Sequence, residues 1–146
     1  MKISYHITDF IFRILFSLIF LGLGIEHLFE SDLIILLMPD WIIYKKITAV
    51  FTGLVLLTGG MSILFGCKVR QGAWTLLVFL ITVTLSVHLP ALFTTPEGLP
   101  KNWTWLWDIY QRSNLVKNLC LIGVCLHLTN HETGKYSMQY FLKGKK

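Results

Sequence analysis

From Ile47 to Gly66 the chain runs through 20 residues without a single charged side chain. A run of roughly 20 apolar residues is what a helix needs to cross the hydrocarbon core of a bilayer, and it is longer than most buried helices of soluble domains require. It does not stand alone. Residues 7–29 and 73–92 are nearly as apolar, and a fourth segment covers about residues 106–127. Only 14% of the residues are charged and the mean hydropathy is +0.63, against about 25% charged in soluble domains. The reading is an all-α integral membrane protein, an antiparallel four-helix bundle forming a single domain over 1–146. Nothing is left over for a soluble module. The net charge of +5 argues for no nucleic-acid partner, because the bases sit at loops and tail, where topology explains them. The first apolar run is too long for a signal peptide, and no small-residue cleavage site follows it.

Three of the segments carry local detail. In the first, Arg13, Ser17, Phe20, Gly24 and His27 recur at helical spacing, and Arg13 is placed to snorkel to the headgroups. The second is rich in small residues (Gly53, Gly59, Gly60, Ser62), which mark closely packed helices in lipid. It is read as scaffold, with a hinge at Gly59-Gly60 as the alternative and its small-residue face as a place for a partner to dock. The third ends with His88 before Pro90. Of the loops, Met38-Pro39-Asp40-Trp41 forms a turn after a short interfacial piece at 33–38. Four of the five tryptophans, Trp41, Trp103, Trp105 and Trp107, fall on one side of the membrane. They read as an aromatic belt, with a lid over a pocket as the sharper alternative. The three cysteines form no CxxC pair, and Cys120 and Cys125 point to different helix faces.

Counting bases sets the topology. The N-terminus, second loop and tail hold eight (Lys2, Arg13, Lys68, Arg70, Lys135, Lys143, Lys145, Lys146) and the other side four. Both termini are therefore expected in the cytoplasm.

The fourth segment is the anomaly. Only 13 residues, Asn118 to Asn130, are free of charge, so a full span takes Lys117 into the membrane. A charge there costs about 2.5–3.5 kcal/mol on insertion scales and tends to face protein or a polar cavity. The outer ends of the first, third and fourth segments then bring Glu26, His27, His88, Asn114, Lys117 and Asn118 into one polar, ligand-binding region. Asn114 is placed to accept a proton of Lys117, and Glu26 is placed to pair with it. His27, His88 and Glu26 are zinc- or iron-type ligands, but Glu26 and His27 are neighbours, pointing about 100° apart on a helix. Metal and haem are ranked well below a lipophilic ligand. No nucleophile triad or phosphate loop is present.

These pieces resemble the DoxX family of small bacterial four-span membrane proteins. The resemblance rests on Arg13 with the following span to Gly22-Leu-Gly-Ile-Glu-His27, on Met38-Pro39-Asp40-Trp41, on Gly53-Leu-Val-Leu-Leu-Thr-Gly-Gly60, on His88, and on Lys117-Asn118-Leu119 with Gly123. His27 departs from the pattern, since many relatives carry a lysine there. The resemblance implies a bacterial inner-membrane bundle. Some relatives resemble a subunit of thiosulfate:quinone oxidoreductase and others are linked to membrane redox or thiol-stress complexes, so quinone is implied as a ligand by analogy. The expected function is a redox-associated subunit binding a quinone-like molecule. A non-enzymatic accessory subunit, joined to another membrane or periplasmic protein or to its own copies, is the alternative, and a small transporter comes third.

Overall fold

The computed structural model of the chain describes residues 4–29, 32, 34, 35, 38, 39, 41–95 and 99–144. Several residues named above lie outside these: Lys2, Lys145 and Lys146 of the charge count, Asp40 of the turn, and Leu33 of the interfacial piece, of which 36 and 37 are also outside. The described residues are mostly helical, with no strand among them.

Helix α1 covers Tyr5–Phe29, α2 Lys45–Leu64, α3 Val69–Val83, α4 Thr104–Leu128 and the short α5 Met138–Lys143. Three are long and apolar enough to cross a membrane: Tyr5–Phe29, Lys45–Leu64, and α3 with its continuation, Val69–Leu92. The fourth long helix, α4, has 25 residues, about 37 Å at 1.5 Å per residue. Its length matches a span, but Asp108, Gln111, Arg112, Asn114, Lys117 and Asn118 lower its hydropathy.

Helices that follow one another in the chain pack side by side: α1 on α2, α2 on α3, α3 on α4. A Cβ on Gly53 would lie 3.0 Å from the Gly24 carbonyl, and one on Gly59 only 2.5 Å from Leu76 Cγ. The absence of side chains at these points is what lets the backbones approach. The small residues of α2 are therefore used up inside the chain, against α1 and α3, and are not free to dock a partner. Gly59 and Gly60 lie buried in an unbroken helix, as the scaffold reading requires. Phe16, Phe20, Leu56, Ile63, Leu76, Leu77, Leu80, Cys125 and Leu128 form the common core.

Outside that core, Leu15, Leu18, Phe51, Val78, Leu85, Val116, Leu119 and Leu126 are all exposed. Such an apolar exterior suits acyl chains, not water. The hydroxyls on these helices follow the same logic. Thr58, Thr75, Thr82 and Ser86 each donate to the carbonyl four residues earlier, the acceptor a helix in lipid always supplies.

Two features position the polar groups. The first is Pro90. It has no N–H to donate and crowds the preceding turn, and the helix answers by widening. Thr84–His88 is a π-turn, closed by Leu89 N donating to Thr84 O at 2.8 Å. π-turns re-aim side chains and recur at functional sites; here Thr84 and His88 are turned toward α4. The second is the tight link between α2 and α3, with Gly66 at φ +62° and Lys68 at φ 53°. The tail is not a free polar segment as its composition implies. It folds back over this turn, Met38-Pro39 being at the opposite end: Met138 N donates to Phe65 O at 2.9 Å and Gln139 N to Gly66 O at 3.1 Å.

Candidate functional site

At the end of the molecule away from the tail, α4 presents Gln111, Asn114 and Asn118 at positions i, i+3 and i+7 of one face, and all three are buried. The π-turn of α3 meets them. Asn118 Nδ2 donates to Thr84 Oγ1 at 3.1 Å, and His88 Nδ1 donates to Gln111 Oε1 at 3.0 Å. Donation from Nδ1 leaves His88 Nε2 as the acceptor nitrogen. Between these two rungs, Lys117 Nζ donates to Asn114 Oδ1 at 2.8 Å, the contact expected from the sequence. Lysine has three such protons. Asn114 Nδ2 is buried and has no hydrogen-bond partner among the described residues.

His88, Asn114, Lys117 and Asn118 are thus brought together, with Thr84 and Gln111 added. Glu26 and His27 make no hydrogen bond or ion pair with this cluster among the described residues. Glu26 is exposed and forms no ion pair with Lys117 among the described residues. The expected Glu26–Lys117 pair is replaced by Asn114, which is nearer along the same helix and costs less to bury than a second charge. His27 Nδ1 bonds the Leu23 carbonyl at 2.7 Å, one turn back on its own helix. Among the described residues, no three of His, Cys, Asp and Glu assemble as a metal site.

The aromatic loop flanks this end. Trp107 Nε1 donates to Thr94 O at 3.1 Å, which ties α4 to the end of α3. Trp41, Trp103 and Trp105 are exposed, the disposition of belt aromatics. Leu99, Trp103, Leu106, Trp107 and Tyr110 line an apolar cavity of about 310 Å³.

The tail end holds a second polar centre, and here the expectation for Arg13 is overturned. Arg13 does not snorkel; it is fully buried. Its Nε donates to Asp9 Oδ2 at 3.0 Å, Nη1 to Leu64 O at 2.8 Å and Nη2 to Tyr136 O at 2.7 Å. Asp9, also buried, accepts from His131 Nε2 at 2.6 Å and from Gly134 N at 3.0 Å. Tyr5 Oη donates to the Glu132 carbonyl. Every polar atom of the pair has a partner, and apart from the Asp9–Arg13 bond within α1 each bond joins α1 to the tail or to the end of α2. The arrangement is a closed structural lock, not a reactive site.

Gly66 sits in the same lock. A Cβ there would meet Ser137 Cβ at 2.5 Å and Arg13 Nη1 at 2.7 Å, on a backbone already at φ +62°. Gly66→Ala is expected to lower stability by about 1–3 kcal/mol from left-handed strain and the clash together, read as a fall in the thermal unfolding midpoint in detergent.

The fold and the polar stripe together define a polytopic helical membrane protein with a half-buried lysine set among buried amides. The DoxX family model matches residues 8–89, more than half of the chain, and the chain belongs to the DoxX family. Neither the curated proteins nor the solved structures gave a match.

Proposed function

We propose that the chain is a single four-span antiparallel bundle of a bacterial inner membrane, with both termini cytoplasmic, and that it acts as a redox-associated subunit binding a quinone-like lipophilic molecule beside Lys117. One observation carries the ligand site: the unpartnered Nδ2 of Asn114 next to the Lys117 ammonium. A buried N–H without an acceptor costs about 1–3 kcal/mol. A carbonyl oxygen arriving between the helices accepts from Asn114 Nδ2 and from a remaining proton of Lys117 and removes that cost. The donor set therefore fits a quinone. Such a group, when bound, supplies two-electron, two-proton chemistry. The chain's own part is to bind, orient and hold protons: Lys117 holds one at Nζ, the Thr84–Asn118 and His88–Gln111 rungs fix the walls, and His88 Nε2 can accept one. The aromatic belt and apolar exterior admit the ligand from the bilayer.

The test is native mass spectrometry of protein gently extracted from its own membrane, wild type beside Lys117→Ala. A bound lipophilic mass, lost in the variant, is expected. A protein that carries no small molecule and changes no redox phenotype on Lys117→Ala overturns the reading.

A second reading is a non-enzymatic accessory or assembly subunit. It is favoured by Gly22 of α1 and Gly123 of α4, where an added Cβ would meet nothing within 4 Å, so that another helix can approach closely. A co-purifying membrane or periplasmic protein with no small molecule supports it. A transporter ranks last, since four spans hold no pair of broken helices in corresponding halves.

A further inference from the structure

A second cavity lies at the tail end, remote from the polar stripe. It measures about 730 Å³ and is lined by Cys67, Lys68, Val69, Arg70, Gln71, Thr129, Asn130, His131, Gln139, Leu142 and Lys143. Its walls come from three places: the α2–α3 turn, the end of α4 and the short α5. Lys68, Arg70 and Lys143 contribute positive charge, and no acidic residue lines it among the described residues. Asp9 lies buried behind His131, with both carboxylate oxygens bonded, to Arg13, His131 and Gly134, and Glu132, next in the chain to His131, is not part of the wall. Insertion into a membrane explains bases on one side of a protein. It does not explain why three of them, two from the α2–α3 connection and one from α5, border one hollow with no acid among its described lining residues.

The rest of the wall is neutral and hydrogen-bonding (Gln71, Thr129, Asn130, Gln139). Beside it α5 exposes Met138, Phe141 and Leu142, an apolar rim next to basic groups. That combination is the one found where chains lie at the headgroup level of a bilayer. The forked guanidinium of Arg70 suits an oxyanion with several oxygens, and two lysines add point charge.

We propose that this cavity binds a phosphoryl group, carried by the headgroup of an anionic phospholipid or by a soluble phosphate. The site is independent of the ligand site proposed at Lys117.

Cys67, half-buried in the cavity wall, provides the readout. Full-length protein carrying Cys120→Ser, to remove the exposed thiol, is purified in a neutral detergent, and the rate of Cys67 alkylation by a maleimide is followed. Short-chain phosphatidylglycerol, short-chain phosphatidylcholine and inorganic phosphate are added in turn. Phosphatidylglycerol is expected to slow alkylation by about threefold or more, the protection that roughly two-thirds occupancy gives a shielded thiol. The effect should shrink in high salt and vanish in Lys68→Gln/Arg70→Gln/Lys143→Gln. Protection by phosphatidylglycerol alone assigns the group to a lipid; protection by inorganic phosphate as well assigns it to a soluble source. No protection by either, equal protection by phosphatidylcholine, or protection that survives the triple substitution overturns the proposal. Should the triple variant not fold, Arg70→Gln alone must move the phosphatidylglycerol midpoint several-fold upward, and an unmoved midpoint is equally fatal.

Discussion

Asp9→Ala is expected to cost about 3–5 kcal/mol of stability, the loss that follows when one partner of a buried ion pair is removed and the other stays behind. The reason lies in what remains. Arg13 is fully enclosed, and its two Nη bonds go to the Leu64 and Tyr136 carbonyls, which carry partial charge but no full one. Without Asp9 the guanidinium has no counter-ion, and His131 and Gly134 N lose their acceptor as well. Thermal unfolding in detergent, followed by circular dichroism, measures the effect. Two companions identify the cause. Asp9→Leu with Arg13→Leu removes both charges and should lose clearly less than Asp9→Ala, because no charge is stranded. Arg13→Lys should not rescue the wild-type value, since a single ammonium cannot reach Asp9 and two carbonyls at once. If Asp9→Ala unfolds at the wild-type temperature, the lock holds nothing together.

How far such features are legible in the sequence depends on whether the signal is local. The apolar runs are local, and they give the long helices to within a few residues: 7–29 against Tyr5–Phe29, and 47–66 against Lys45–Leu64. The Asn114–Lys117 bond is local too, at i, i+3 on one helix. The Asp9–Arg13 pair has the same kind of spacing and was there to be read. A charge inside an apolar run calls for a partner, and the partner stands one turn away. Reading Arg13 by its closeness to the chain start led to the headgroups; reading it against Asp9 leads to the interior. The other half of the lock was not legible, because His131, Gly134 and Tyr136 come from a polar stretch whose composition looks the same whether it is solvated or folded back. Gln111 belongs to the same class. Only the π-turn forced by Pro90 brings His88 to it, and a one-residue widening of a helix leaves no mark in a hydropathy profile. Glu26 shows the opposite error. Opposite charges at the same depth look like a pair, yet a neutral amide on the lysine's own helix solves the problem at lower desolvation cost.

Asn114 separates a ligand site from a structural one more sharply than Lys117 does, because its replacement should change stability little and binding strongly. Asn114→Leu keeps the approximate volume and removes the unpartnered N–H₂. In the ligand-free protein that relieves a desolvation cost of about 1–3 kcal/mol, against which stands the loss of one bond to Lys117, about 1.5–3 kcal/mol for a charged donor. Stability in detergent should therefore change by no more than about 1–2 kcal/mol in either direction. Ligand retention should fall much further. The carbonyl loses its neutral donor, and Lys117 loses the oxygen that holds its ammonium in place, so about tenfold or more in affinity is expected for a quinone analogue measured by intrinsic tryptophan quenching, with each 1.4 kcal/mol counting as a factor of ten. Asn114→Asp sharpens the contrast. Its carboxylate keeps the contact to Lys117 and donates nothing, so it should hold the helix together and still fail to bind. If Asn114→Leu binds the analogue as wild type does, the buried amide faces no ligand. The polar stripe then serves to hold α4 in the bilayer beside α3, as the accessory-subunit reading requires.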